Sequence, residues 1–266
     1  MSGQEEEYNY NLKSITFSEL VNYCIKSFNE NKNNYLILGI FYIGYSFISA
    51  YYIDKQTGGP TLSYSFILFL LNLLGFIIFI YYVLCFKENN LKSALDTNIL
   101  NASFKKIIAQ IVTAFAIFVK ILLPLLLGVI IAGALSFAMQ SQDQTQMSYL
   151  MIGVISIVLL IFALKFLFAG YLAIIFSIKG FAATRLSKLV YEQNKKTTYS
   201  FIIVYIAILS VGGILNRSFP GNISVTSFTT LTNSIAGFLL LFLGTKFIEL
   251  TVAEKAEVAE SEDANF

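Results

Sequence analysis

Six apolar runs, each about long enough to cross a bilayer, follow one another along this chain. They are Tyr35–Ile53, Tyr64–Phe86, Ile107–Met139, Met147–Phe176, Tyr199–Leu215 and Phe228–Ile248. A hydrocarbon core of about 30 Å takes about 20 apolar residues in helical form. Inside it only a helix or a closed barrel satisfies the backbone polar groups. The runs therefore predict an all-α, polytopic membrane bundle of six transmembrane helices arranged as three hairpins. No stretch between them is long enough for a separate soluble domain. Charged residues make up 13% of the chain and the net charge is +2, too small to argue for a nucleic-acid partner. The start, MSGQEEEYNY, is acidic, and the first apolar run begins only at Tyr35, so the pattern is not that of a cleaved signal peptide.

Orientation follows from where Lys and Arg fall in the loops. Fourteen lie on the side that holds the residues before span 1, the 2–3 and 4–5 loops and the C-terminal end, against two, Lys55 and Arg217, on the other. Both termini are expected in the cytoplasm. Cys24 and Cys85 then face a reducing compartment and are expected as packing thiols rather than a disulfide.

The cytoplasmic segments carry helical stripes. Before span 1, Phe17, Leu20, Val21, Cys24, Ile25 and Phe28 recur on one helical face, with Thr16 and Glu19 at capping-box spacing. Before span 3, Leu91, Leu95, Ile99 and Ala102 make a thinner stripe. Before span 5, Ile178, Phe181, Ala182, Leu186, Leu189 and Val190 make another, interleaved with Lys179, Arg185 and Lys188. Each predicts an amphipathic lead-in helix at the cytoplasmic interface. Three units of about 70–90 residues result, each a lead-in followed by a hairpin. Their polar junctions are similar, SFNENKNNY at 27–35 and YEQNKKTTY at 191–199.

These junctions carry a family resemblance. Lys26-Ser27-Phe28 with Asn31-Lys32-Asn33, and Ser103-Phe104-Lys105-Lys106, resemble the YciC-like group of six-helix bacterial membrane proteins. The membrane domain of some glycerophosphodiester phosphodiesterases is similar. The third junction departs, with Val190-Tyr191 where the Ser-aromatic pair would stand. The resemblance implies a fold and a bacterial cytoplasmic-membrane address, and no catalytic residue.

Lys120 and Pro124 interrupt the third run. Counted from the polar loop 140–146, Lys120 and Lys165 lie 19 and 18 residues in, about 27–29 Å at the helical rise, which is one bilayer core. A lysine there can snorkel to the headgroups. Pro124 frees the carbonyl of Lys120 and predicts a kink where the membrane helix meets the interface. Residues 107–119 and 166–176 then need not span. The spans are expected at about 35–53, 64–86, 120–139, 147–165, 199–215 and 228–248. They lie within a membrane domain 15–250, between acidic tails 1–14 and 251–266. Lys120 and Lys165 either snorkel or together contact an anionic lipid or substrate.

Other signals are about packing. Gly128, Ala132 and Ser136 make a small-residue ridge on span 3. Asn72 is a lone amide expected to bond a neighbouring helix, and SVTSFTTLTNS, 224–234, reads as an outer loop or the lining of a wet vestibule. The chain has no histidine, and Asp54 and Glu249 fall at span edges, which argues against a proton-coupled carrier and removes His-based catalysis. GTKFIEL, 244–250, lacks the glycine-rich loop of a nucleotide site. The expectation is a non-enzymatic integral membrane protein without cofactor or metal, scaffold-like or lipid-interacting. Its partners would be membrane lipids, with a protein partner for the acidic tail. The alternative is a transport permease, the membrane subunit of an ATP-driven exporter, whose lead-ins 91–102 or 178–190 would couple to a separate ATPase.

Overall fold

The computed structural model describes residues 10–54, 62–88, 91–138, 164–219 and 223–254, with isolated positions between 152 and 162. In chain order the elements are β1 (Tyr10–Leu12), α1 (Phe17–Glu30), α2 (Lys32–Asp54), α3 (Leu62–Lys87) and α4 (Thr97–Ala138). After these come α5 (Ala169–Ile175), α6 (Gly180–Gln193), α7 (Lys195–Ser218), α8 (Ile223–Thr251) and β2 (Val252–Glu254). Among the described residues the protein is all-α apart from one antiparallel strand pair, in which Tyr10 faces Glu254 and Leu12 faces Val252. That pair extends the ordered unit beyond the expected limits of 15 and 250.

Among the described residues five helices are long and apolar enough to cross a membrane, lying within α2, α3, α4, α7 and α8. The span expected at 147–165 and the loop 140–146 fall mostly outside the described residues, although Leu164–Phe166 is helical. α8 is the central element. Half of its most apolar window is buried (50%), against 11% for α2 and α4. It packs on α7, α2 and α3, and α1 lies against it. Around it stands an aromatic cluster, in which Phe86 meets Tyr35 at 5.4 Å, Phe238 at 5.4 Å and Phe242 at 5.2 Å between ring centres, nearly all edge-to-face. This geometry suits the ring quadrupoles. The buried core, which includes Leu20, Leu38, Ile80, Leu172, Ile174, Val190 and Ile248, lies where the helices start and end beside the polar junctions. The far halves of α2, α3, α4 and α7 instead expose large apolar side chains such as Ile48, Phe69, Ile130 and Ile214.

Where expectation and structure meet, several points differ. α4 itself runs as one helix of 42 residues with Pro124, the expected kink position, inside it. A proline removes one bond from a long ladder, and the bonds on either side hold the helix together. The lead-in expected at 91–102 is not a separate element, because 91–96 is non-helical and Thr97 opens the same α4. The run 224–234 is not a loop either: it is helical within α8. Its hydroxyls bond back to carbonyls one turn earlier, as Thr230 to Thr226 (3.0 Å) and Ser234 to Thr230 (2.6 Å). Thr229 reaches across to the Gly212 carbonyl of α7 at 3.1 Å. Asn72 also stays at home, donating to Leu68 of its own helix at 2.8 Å. Of the small-residue ridge, Gly128 is buried, and the side chains of Ala132 and Ser136 lie outside the described residues.

The polar junctions close the fold into a ring. α1 ends at Asn31 and α6 at Asn194 with nearly the same backbone, φ −122°, ψ 24° and φ −120°, ψ 32°. Asn31 Oδ1 accepts the Leu91 N–H (3.0 Å), and Asn34, three residues on, donates to the Leu91 carbonyl (2.5 Å). Asn194 Oδ1 accepts the Ile15 N–H (2.9 Å), and Thr197, again three on, donates to the Ile15 carbonyl (2.5 Å). Each junction thus grips both backbone groups of one buried apolar residue in another unit. The middle unit supplies a looser version, in which the Thr113 hydroxyl accepts the Gly180 N–H at 3.0 Å. Gly180 begins α6 at φ +58°, a conformation that favours glycine, and its bare backbone packs against Val112. Unit one holds unit two, unit two holds unit three, and unit three holds unit one.

Candidate functional site

A lysine among apolar helices needs a reason, and the structure supplies one for Lys120. Its ammonium lies 5.5 Å from the Phe166 ring centre and 5.7 Å from that of Phe181, so two aromatic faces share the cation. Burial acts on it most, and the Arg185 and Lys188 charges of α6 act on it less. Lys165, the residue before Phe166, places its own ammonium 5.1 Å from Phe162. Lys120 therefore lies beside the segment that carries Lys165, and each ammonium is set against a ring. Lys188 also makes an exposed pair with Glu192 at 3.7 Å, a contact of low worth in water.

Local chain geometry builds this cluster. The helix entering at 164–166 is interrupted before α5, and Ser187 of α6 fills the break. Its hydroxyl donates to the Lys165 carbonyl (2.9 Å) and accepts the Phe168 N–H (3.2 Å). This fixes Phe166 and Lys165 against α6, while α4 packs along α5 and α6 and delivers Lys120. Ser187 and the packing of Lys120's helix against α6, which carries Arg185 and Lys188, were not singled out from sequence. Their signal was the basic interleaving of the 178–190 stripe, which shows a charged face without showing what it meets.

A second ionic feature lies near the α8 C-terminus. Lys246 is fully buried and donates to Glu249 at 2.8 Å, with the Tyr23 ring centre 5.7 Å from its ammonium. Burial, followed by the Glu249 carboxylate, raises the Tyr23 phenol above its ordinary value. Burial also pushes the Cys24 thiol up to about 12, partly opposed by Lys246. Cys24 and Cys85 are both free and buried. Around this pair the groups are a matched acid and base, an un-ionised thiol and a phenol, which is a structural lock rather than a nucleophile with its base. Among the described residues no cluster of His, Cys, Asp or Glu could hold a metal ion.

Comparison with family models, with characterised proteins and with solved structures gives no match.

Proposed function

We propose that this is a multi-pass protein of a bacterial cytoplasmic membrane, with six spans and both termini in the cytoplasm. It holds anionic lipid and carries out no chemistry of its own. The observation that carries the reading is Lys120, set beside the rings of Phe166 and Phe181 on a helix that packs against α6, whose Arg185 and Lys188 add positive charge to the same region. A cation beside aromatic faces at the edge of apolar helices, in a field raised by two further cations, suits a phosphate. The excess of basic residues on one side puts that cluster on the cytoplasmic face, where anionic lipid attracts each Lys or Arg by about 1 kcal/mol. The resemblance to the YciC-like group gives the same address, and the lead-in stripes at 16–28 and 178–190 fit helices that lie at the interface.

The test is lipid analysis of protein purified in a mild detergent. Wild type should retain phosphatidylglycerol or cardiolipin. Removing two charges with Lys120→Ala and Arg185→Ala should cost about 2 kcal/mol, a drop of roughly 30-fold in affinity. Equal retention by the variant would overturn the reading. Stable co-purification of an ATPase would instead favour the permease, with 178–190 as its contact.

A further inference from the structure

We infer that a groove between α2 and α3 holds one acyl chain of a lipid whose head is neutral and donates hydrogen bonds, an acylglycerol rather than an anionic phospholipid. The groove shares no residue with the basic cluster and goes beyond the reading given above. Consecutive membrane helices usually pack along their length, but α2 and α3 touch each other less than either touches α8. Two tyrosines tie them together. Tyr82 donates to the Leu38 carbonyl at 2.6 Å, and Tyr45 donates to the Leu71 carbonyl at 3.0 Å. Gly75 makes the second tie possible, since any side chain there would collide with the Tyr45 hydroxyl. Between and beside these ties lies a cavity of about 670 Å³, walled by apolar side chains such as Phe41, Leu74 and Ile78.

Three features select the occupant. The size is that of a pocket for a small ligand, typically about 300–1,000 Å³. The length matches one leaflet: the lining on α2 runs from Leu38 to Ile48, about 15 Å at the helical rise, half of a core of about 30 Å. The polar end is specific. Tyr81 donates to the Ala94 carbonyl (2.9 Å) and accepts the Asp96 N–H (2.9 Å), which fixes Asp96 and Thr97 at that end of the lining. Asp96 Oδ1 accepts the Asn98 N–H at 2.8 Å, which leaves the second carboxylate oxygen for a ligand. A carboxylate and a threonine hydroxyl receive an alcohol well. A phosphate placed there would meet like charge.

The experiment uses the full chain in phosphatidylcholine nanodiscs with two photoactivatable probes of equal chain length, a diacylglycerol and a phosphatidylglycerol, each with a diazirine in the chain. Mass spectrometry should map diacylglycerol labelling to 38–48 and 71–82, about tenfold above phosphatidylglycerol, the ratio for one charge contact of about 1.4 kcal/mol. Gly44→Phe should abolish that labelling, because a side chain at Gly44 enters open space on the cavity wall. Asp96→Lys leaves the apolar wall intact and should reverse the preference. It decides the matter if the filled variant fails to fold. Equal labelling by both probes, labelling spread over the exposed Ile203–Ile214 face, or an unchanged ratio in Asp96→Lys would each overturn the inference. So would competition by phosphatidylethanolamine but not by unlabelled acylglycerol. None of these outcomes bears on lipid retention by Lys120 and Arg185, so the two readings fail separately.

Discussion

At the scale of single residues, the informative side chains are polar ones that satisfy something buried. Asn194 holds the Ile15 N–H and donates to the carbonyls of Lys13 (3.2 Å) and Val190 (3.3 Å). Asn194→Leu keeps the branched shape and strands those groups, so it should cost about 1–3 kcal/mol, read as a shift in detergent unfolding. Gln193→Leu is the control. That side chain is exposed, and water can replace its bond to the Leu12 carbonyl (3.1 Å), so stability should change little. Lys246 and Glu249 follow a different rule, since a buried pair is expensive to break but not to replace. Lys246→Met alone leaves the part-buried Glu249 without its ion-pair partner and should cost about 3 kcal/mol. Adding Glu249→Gln should restore most of it, and a double variant as unstable as the single would show that the pair is not the cause. Cys24, its thiol raised to about 12 by burial, stays un-ionised at pH 8 and should resist maleimide until the chain is unfolded. Rapid labelling of the folded protein would contradict its place under α8.

At the scale of elements, α1 and α4 show what periodicity reveals and what it hides. The capping box expected at Thr16 and Glu19 is formed, with Glu19 Oε2 accepting the Thr16 N–H at 2.7 Å and Thr16 Oγ1 accepting the Glu19 N–H at 3.2 Å. Those hydrogen bonds hold the Glu19 carboxyl below its ordinary value. The box therefore contributes above the unfolded carboxylate value and is lost as pH falls through the folded one. Thr16→Ala should cost about 1 kcal/mol, seen as faster amide exchange in the first turn of α1. Leu20 and Cys24 are buried and Glu19 and Lys26 exposed as the stripe predicts, while Ile25 at its margin is exposed. Helix ends governed by such local chemistry were legible. The length of α4 was not, because a proline and a lysine speak only for one turn, while the helical ladder continues on both sides of them. The hydroxyl run in α8 misled for a related reason. Serine and threonine look like loop residues until their hydroxyls find carbonyls a turn earlier. Spin labels at 104 and 134 test α4 directly. One continuous helix puts them about 45 Å apart, and a much shorter separation would mean a chain broken at Lys120.

At the scale of the whole molecule, the repeat was legible in outline, but the sequence offered two registers. SFNENKNNY set on YEQNKKTTY pairs Ser27 with Tyr191, whereas Val190-Tyr191 set on Ser27-Phe28 pairs Asn31 with Asn194. The structure takes the second, because equivalence is set by which side chain grips a neighbouring unit. That grip depends on long-range contacts, with 60 and 179 residues separating the partners, and no local pattern could show it. A closed ring has an energetic signature. Breaking one clamp frees a unit to shift, so the remaining clamps then hold less. Asn31→Leu and Asn194→Leu should therefore be sub-additive, the double variant costing less than the sum by about 0.5–3 kcal/mol, whereas independent sites add to within about 0.5 kcal/mol. The measurement is a double-mutant cycle on unfolding in mixed micelles, with Asn72→Leu as the control. Asn72 bonds only within its own helix and should add independently to either clamp. Strict additivity of the two clamp variants would mean that the junctions act as separate local caps. Sub-additivity confined to the clamp pair would mean that the three units stand or fall together.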